Sequence, residues 1–220
     1  MGAKRENEIA VSIPLEDIDR IEIYNNKLIK NKKTYSRMYL STIIAETGAD
    51  YAINGTLYNM KNGKPVCPLR ADGVTLYSGP YKYRGYGWNM PQDFHMDLIP
   101  NNEFLNYIAC SEILRAGQVN KRPIYNVAQG GKRGRTAIGT KVINGKPRLC
   151  LYASKDGTSA KKTPEQLAQL LKSYGWQDAV MLDCGGSSQA YFDHEKRQVF
   201  TYRRVPHVIL VYLKKGAKKK

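Results

Sequence analysis

Asp183 is the residue of this 220-residue chain best placed to do chemistry. It follows the apolar run Ala179-Val180-Met181-Leu182 and leads straight into Cys184-Gly185-Gly186-Ser187-Ser188. A carboxylate at the end of a buried strand gives up much of its hydration, so it is normally either paired or used. Gly185 and Gly186 let the backbone turn tightly and come close to a ligand, while Ser187 and Ser188 place hydroxyls beside exposed N–H groups. That grouping suits an anionic or sugar ligand held against a carboxylate. The plainer alternative is an Asp that caps a turn and binds nothing.

Two further segments have chemical potential. In Gly130-Gly131-Lys132-Arg133-Gly134-Arg135-Thr136-Ala137-Ile138-Gly139, three cations stand among four glycines ahead of a strand. Such a loop can face phosphate, which arginine grips through two parallel hydrogen bonds, or it can be a solvated basic turn. It does not satisfy the GxxxxGK[ST] spacing of a nucleotide-binding P-loop. Asn54-Gly55-Thr56 sits at a strand end, where Asn54 could bond a substrate hydroxyl or close an Asx turn. A serine hydrolase is disfavoured because GxSxG is absent around Ser187 and Ser188. Cys67, Cys110, Cys150 and Cys184 form no CxxC pair, and His95, His194 and His207 fall in no ligand spacing. Reduced thiols are expected, with no metal and no cofactor.

The elements that must position these residues are mostly strands. Residues 20–24 alternate polar and apolar, 49–55 end in a glycine turn, and 179–182 read as a central strand covered on both faces. Asn62-Gly63 and Asn144-Gly145 are hairpin signals, because both residues tolerate positive φ. The second predicts pairing of 136–142 with 148–152. Residues 189–192 and 199–202 are expected to pair around a charged turn, and 205–213 to form the last strand. Helices are predicted at 41–46, closed by Gly48, and from Thr163 to Gly175, where Thr163, Pro164 and Gln166 make a capping box. Leu167, Leu170, Leu171 and Tyr174 then make one apolar stripe. The expectation is an α+β fold in a single domain over 14–213, with strand-rich mixed sheets and two or three packed helices. A flexible N-terminal segment (1–13) and a Lys-rich tail (214–220) flank it.

Composition narrows the class of function. The net charge is +16, and five of the 35 Lys and Arg residues lie in the last seven positions. The body therefore stays strongly basic and attracts polyanions: nucleic acid, anionic wall polymers or phosphorylated sugars. The longest apolar run, 208–213, is far short of the roughly 20 residues of a membrane-spanning helix. No signal-peptide pattern follows the basic start. The expectation is cytoplasmic synthesis without membrane insertion, and release to a cell wall by lysis. Tyr77, Tyr81, Tyr83, Tyr86 and Trp88 interleave with Lys82 and Arg84; β-propensity favours a Tyr-rich strand pair over a sugar-stacking wall.

Taken together, Ala52-Ile53-Asn54-Gly55, Arg135-Thr136-Ala137-Ile138-Gly139, the helix start at Thr163, Asp178 to Asp183 with Gly185-Gly186-Ser187-Ser188, and Arg204-Val205 resemble the phosphodiester glycosidase family. The resemblance spans about residues 45–213, in a compact form similar to those of phages and prophages. The family usually has Gly where Cys184 stands, a run of the Asn-Gly-Gly-Phe-Phe kind where Asn54-Gly55-Thr56-Leu57-Tyr58 stands, and Asn where His207 stands. The resemblance implies hydrolysis of the glycosyl–phosphate bond of a sugar-1-phosphodiester such as an N-acetylglucosamine derivative, within an anionic bacterial polymer. It implies catalytic roles for Asp183 and for Arg135, the latter on phosphate. Asn54, Gly55, Thr136, Gly185, Gly186, Ser187, Ser188 and Arg204 would bind substrate. Asp72 and Asp156 are candidates for a second carboxylate. The competing expectations are a non-catalytic module for an anionic wall glycan and, on charge alone, a nucleic-acid binder.

Overall fold

The strand His207–Leu213 is buried at all seven positions. Successive side chains of a strand point to opposite faces, so such a strand must be covered on both sides. Ile209 and Val211 enter one hydrophobic cluster, while Val208, Leu210 and Tyr212 enter another with Leu40 and Ile43 of the helix Leu40–Thr47. The same division recurs in the strands Arg135–Ile143, Lys146–Ser154 and Asp178–Met181. Ile138, Leu151 and Val180 join the first cluster. Ala137, Tyr152 and Met181 pack with Leu167 and Leu171 of the helix Pro164–Ser173. The computed structural model, which describes residues 3–25, 35–80, 82–97, 103–125 and 127–217, is therefore four-layered: helix, sheet, sheet, helix. Each fully buried Leu, Ile or Val contributes about 1.5–3 kcal/mol through removal from water.

One sheet has six strands in the order Lys4–Arg5, Arg197–Val199, Ala190–Phe192, Tyr51–Asn54, His207–Leu213, Ile18–Asn25. The second runs Glu8–Pro14, Lys146–Ser154, Arg135–Ile143, Asp178–Met181, Asn106–Arg115, Leu69–Ala71, Val74–Tyr77, and Arg84–Trp88 also pairs with Asn106–Arg115. Neighbouring strands are antiparallel, except that Lys4–Arg5 lies parallel to Arg197–Val199. The α+β, strand-rich expectation holds, with two α-helices among the described residues.

Local signals explain much of this. Asn144 and Gly145 take φ of 51° and 75° and join the two nine-residue strands of the expected hairpin. Thr163 Oγ1 accepts from the Gln166 amide and Gln166 Oε1 accepts from the Thr163 amide, so the capping box closes as expected.

Several expectations need correction. Residues 1–13, expected to be flexible, include the strand Lys4–Arg5 and all but the last residue of the strand Glu8–Pro14. The second pairs over seven residues with Lys146–Ser154 and buries Ile9 and Ile13, so the folded body begins before residue 14. The alternation Ile9, Val11, Ile13 carried that signal. Asn62-Gly63 closes a local loop with a single bridge between Tyr58 and Pro65, not a pair of strands. The partner of Ala190–Phe192 is Arg197–Val199, two residues earlier than expected, because the turn at Asp193 is tight. Within the Lys-rich tail, Lys214 donates its amide to Asp17 and Ala217 to Lys214; residues 218–220 lie outside the described residues, as does Tyr81.

Candidate active site

The strand Asp178–Met181 lies between Arg135–Ile143 and Asn106–Arg115 and carries the chain to one end of the double sheet. Leu182 is still tied to that sheet through its amide and the Thr136 carbonyl, at 2.9 Å. Asp183 then leaves it. Its amide donates to the Gly55 carbonyl at 3.1 Å, and Gly55 follows Tyr51–Asn54 of the other sheet. Its carbonyl accepts from Asn54 Nδ2 at 3.0 Å and from Thr136 Oγ1 at 2.7 Å. One residue is thus clamped by both sheets where their strands end.

With the backbone so held, the Asp183 carboxylate enters a pocket of about 340 Å³ whose lining includes Tyr58, Gln129, Arg133, Cys184 and Arg203. Its Oδ1 accepts the Cys184 amide at 3.0 Å. Burial pushes its pKa up to about 6, against the opposing pull of the Ser187 hydroxyl, the Cys184 amide and the Arg203 charge. The carboxylate is therefore ionised at neutral pH yet poorly solvated, a state suited to attacking or stabilising a cationic centre. Among the described residues it is the only carboxylate lining this pocket.

The turn after Asp183 is built for close approach. Gly185 has φ +66°, a left-handed conformation that favours glycine, and its amide donates to the Gly134 carbonyl at 2.9 Å. At Gly186 a Cβ would come within 2.8 Å of Arg203 Nη2, so this glycine lets the guanidinium lie against the turn. Beyond Gly186 and Arg203 opens a second recess of about 740 Å³, which adds Arg37, Arg204 and Tyr202.

The expected site residues divide into two groups. Asp183, Gly185, Gly186 and Ser187 line the pocket, and Arg204 lines the adjoining recess. Asn54, Gly55, Thr136 and Ser188 line neither and are buried behind it. Asn54 and Thr136 hold the Asp183 carbonyl, and Asn54 Oδ1 also accepts the Gln189 amide at 3.1 Å. Gly55 packs against His207 so closely that a Cβ would overlap the imidazole. Ser188 Oγ is buried without a hydrogen-bond partner among the described residues.

Arg135 is the main correction. Expected to grip phosphate, it is fully buried and lines neither recess. Its guanidinium donates to the carbonyls of Gln129 at 2.6 Å, Gly131 at 2.5 Å and Lys162 at 2.8 Å. It braces the 129–134 loop from behind, with Nε, Nη1 and Nη2 each bonded to a carbonyl and Nη1 also 3.4 Å from Met181 Sδ. The loop's pocket-facing cation is Arg133. Neither Asp72 nor Asp156 lines the pocket; Asp156 Oδ1 accepts the Gly134 amide at 2.7 Å and so also supports the loop. Cys184 lines the pocket as a protonated thiol, its pKa pushed up to about 12 by burial and by Asp183.

Sequence reasoning missed Arg203, Tyr58, Gln129 and Arg37. Arg203 had a signal, since it adjoins Arg204 outside a regular strand. Tyr58 places its hydroxyl 3.4 Å from Ser187 Oγ, a contact across 129 residues of sequence that no local pattern announces.

The sequence pattern described as phosphodiester glycosidase matches residues 47–212. The fold is similar to that of the zebrafish N-acetylglucosamine-1-phosphodiester alpha-N-acetylglucosaminidase catalytic domain, a structure auto-inhibited by its pro-peptide. That likeness has a TM-score of 0.71 and 14% identity, over 97% of this chain and 87% of that one. A hypothetical protein from Synechocystis is similar at a TM-score of 0.69 and 15% identity, over 94% of this chain and 59% of that one. No curated protein matches by sequence.

Proposed function

The chain belongs to the phosphodiester glycosidase family, and on that premise we propose that it hydrolyses the bond between an anomeric carbon and the phosphate of a sugar-1-phosphodiester. The observation that carries this reading is the ionisable Asp183 in one pocket with Arg133 and Arg203. Most glycosidases use two carboxylates, one of them to protonate a poor alkoxide leaving group. A sugar that departs from phosphate leaves behind a phosphomonoester, whose second pKa is about 6, so the need for a general acid is relaxed. One carboxylate and two cations then suffice.

In the proposed reaction the C1–O bond breaks and the phosphomonoester leaves with the electron pair. Asp183 either bonds to C1 as the oxocarbenium ion develops or takes a proton from the water that attacks it. Arg133 and Arg203 take up the charge that grows on the departing phosphate, as donors aimed at developing charge do. Water supplies the hydroxyl at C1 and a proton is released. Ser187 and the Gly185-Gly186 backbone line the same wall and would position sugar hydroxyls. An N-acetylglucosamine-1-phosphodiester within an anionic bacterial polymer meets these requirements.

The test is release of free sugar from UDP-N-acetylglucosamine and from a methyl N-acetylglucosamine-1-phosphate diester, for wild type and Asp183→Asn. Release by wild type that disappears in the variant supports the proposal. Equal release by both overturns the role of Asp183. Tight binding of the diesters without any release identifies a binding module of the same fold.

A further inference from the structure

The recess beside the Asp183 pocket is larger than that pocket and differs from it chemically. Arg37, Arg203 and Arg204 line it together with Tyr35, Thr201 and Tyr202, and no Asp or Glu is among its described lining residues. None of the three arginines makes an ion pair with an acid of its own among the described residues. Each guanidinium is nevertheless oriented. Arg37 Nη2 donates to the Met60 carbonyl at 2.6 Å, Arg203 Nη1 rests 3.3 Å from Met60 Sδ, and Arg204 lies over the Tyr39 ring at 4.6 Å. Every guanidinium has five N–H donors, so most of these remain open to a ligand. Three like charges line one cleft, and a bound anion would offset their repulsion.

The two recesses adjoin, because Gly186 and Arg203 line both. Under the proposed function, on which this inference rests, the phosphate next to the sugar lies near Arg203. Arg37 and Arg204 line only the outer recess and would be left over by a substrate with a single phosphate. We infer that the outer recess is an aglycone subsite for further phosphates, and that the substrate is a polyol-phosphate chain in which phosphodiesters recur beyond the scissile one. A polyol chain suits the site better than a nucleic acid. Stacking successive bases takes a row of exposed aromatic faces, whereas of the aromatic residues described in the lining Tyr35 is buried and Tyr202, 79% exposed, is already edge-on to Phe200 at 4.9 Å.

The probe is sugar-free poly(glycerol phosphate), titrated calorimetrically into the full chain, with wild type, Asp183→Asn, Arg204→Gln and Arg37→Gln/Arg204→Gln compared at low and high salt. Thermal melting of each variant establishes that it folds. The inference expects binding by wild type and Asp183→Asn, at least tenfold weaker binding by the double variant, an intermediate effect of Arg204→Gln, and a shallower salt dependence as phosphate contacts are lost. Absence of binding, or binding unchanged in folded arginine variants, overturns it. Tighter binding of an oligothymidylate with the same number of phosphates also overturns it, in favour of a nucleic acid. Because the probe carries no sugar, its binding is independent of turnover. Sugar release without probe binding defeats the subsite alone, and probe binding without sugar release from any diester defeats the hydrolase reading alone.

Discussion

The amide of Asp183 donates to the carbonyl of Gly55 across 3.1 Å, joining the strand end of one sheet to the strand end of the other. Asp183 is 128 residues later in the chain, yet its position depends on how closely Gly55 can approach its own neighbours. On the far side of Gly55 the His207 carbonyl accepts the Gly55 amide at 3.1 Å, and the His207 ring fills the space where a Cβ would go. The carboxylate is thus held through backbone contacts that only glycine permits.

Gly55→Ala tests that coupling. The added methyl must push His207 or the strand aside, at a cost of about 1–3 kcal/mol. Because the displaced Gly55 carbonyl holds Asp183, activity should fall at least tenfold even at temperatures where the variant is folded. A urea midpoint together with kcat/KM on a sugar-1-phosphodiester measures both effects.

Asp183→Asn should abolish turnover and stabilise the fold. A carboxyl whose pKa rises from 3.8 to about 6 on folding disfavours the folded state at neutral pH by up to about 3 kcal/mol. A neutral amide of the same shape recovers part of this, so a higher melting temperature is expected alongside lost activity. A variant that is both inactive and less stable would point to a structural role.

The pH dependence follows from two buried groups with opposite signs. Asp183 is raised to about 6, so it adds stability as pH falls from about 6 towards 3.8. His207, buried with neither ring nitrogen hydrogen-bonded among the described residues, is lowered from 6.5 to about 4 by burial. It binds its proton more weakly when folded, so stability is lost as pH falls from 6.5 to about 4. Asp183→Asn should therefore steepen acid destabilisation across that window, and His207→Asn should flatten it. Melting temperatures of the three proteins between pH 4 and pH 7 check this. Activity of wild type should rise through pH about 6 as Asp183 ionises.

Arg135 and Arg203 should respond differently to substitution. Arg135→Lys leaves three loop carbonyls without their shared donor, and lysine cannot satisfy all three. The expected cost is about 2–4 kcal/mol of stability, with KM altered little in the folded enzyme. Arg203→Ala is expected to raise KM at least tenfold with little change in melting temperature, since Arg203 lines both recesses. The reverse pattern would return the phosphate to Arg135.

The sequence alone determined the parts whose cause is local. The Asn144-Gly145 hairpin and the Thr163 cap depend on backbone preferences of two to four adjacent residues, and both formed as expected. Asp183 stood out because a carboxylate at the end of the apolar run 179–182 is costly wherever the chain goes. Family membership was legible for the same reason, since its blocks are short and contiguous. Tertiary structure decided which side chains face the ligand. Arg133, Arg135, Arg203 and Arg204 are alike in sequence, but an arginine's long side chain is directed by whatever surrounds it. Carbonyls at 129, 131 and 162 claim Arg135, while Arg204 lies over the Tyr39 ring and lines the outer recess. Those surroundings come from segments far apart in the chain, brought together only when the two sheets stack. Asn54 and Thr136 illustrate the same limit: both lie beside Asp183, but their hydrogen bonds go to its backbone rather than towards the pocket.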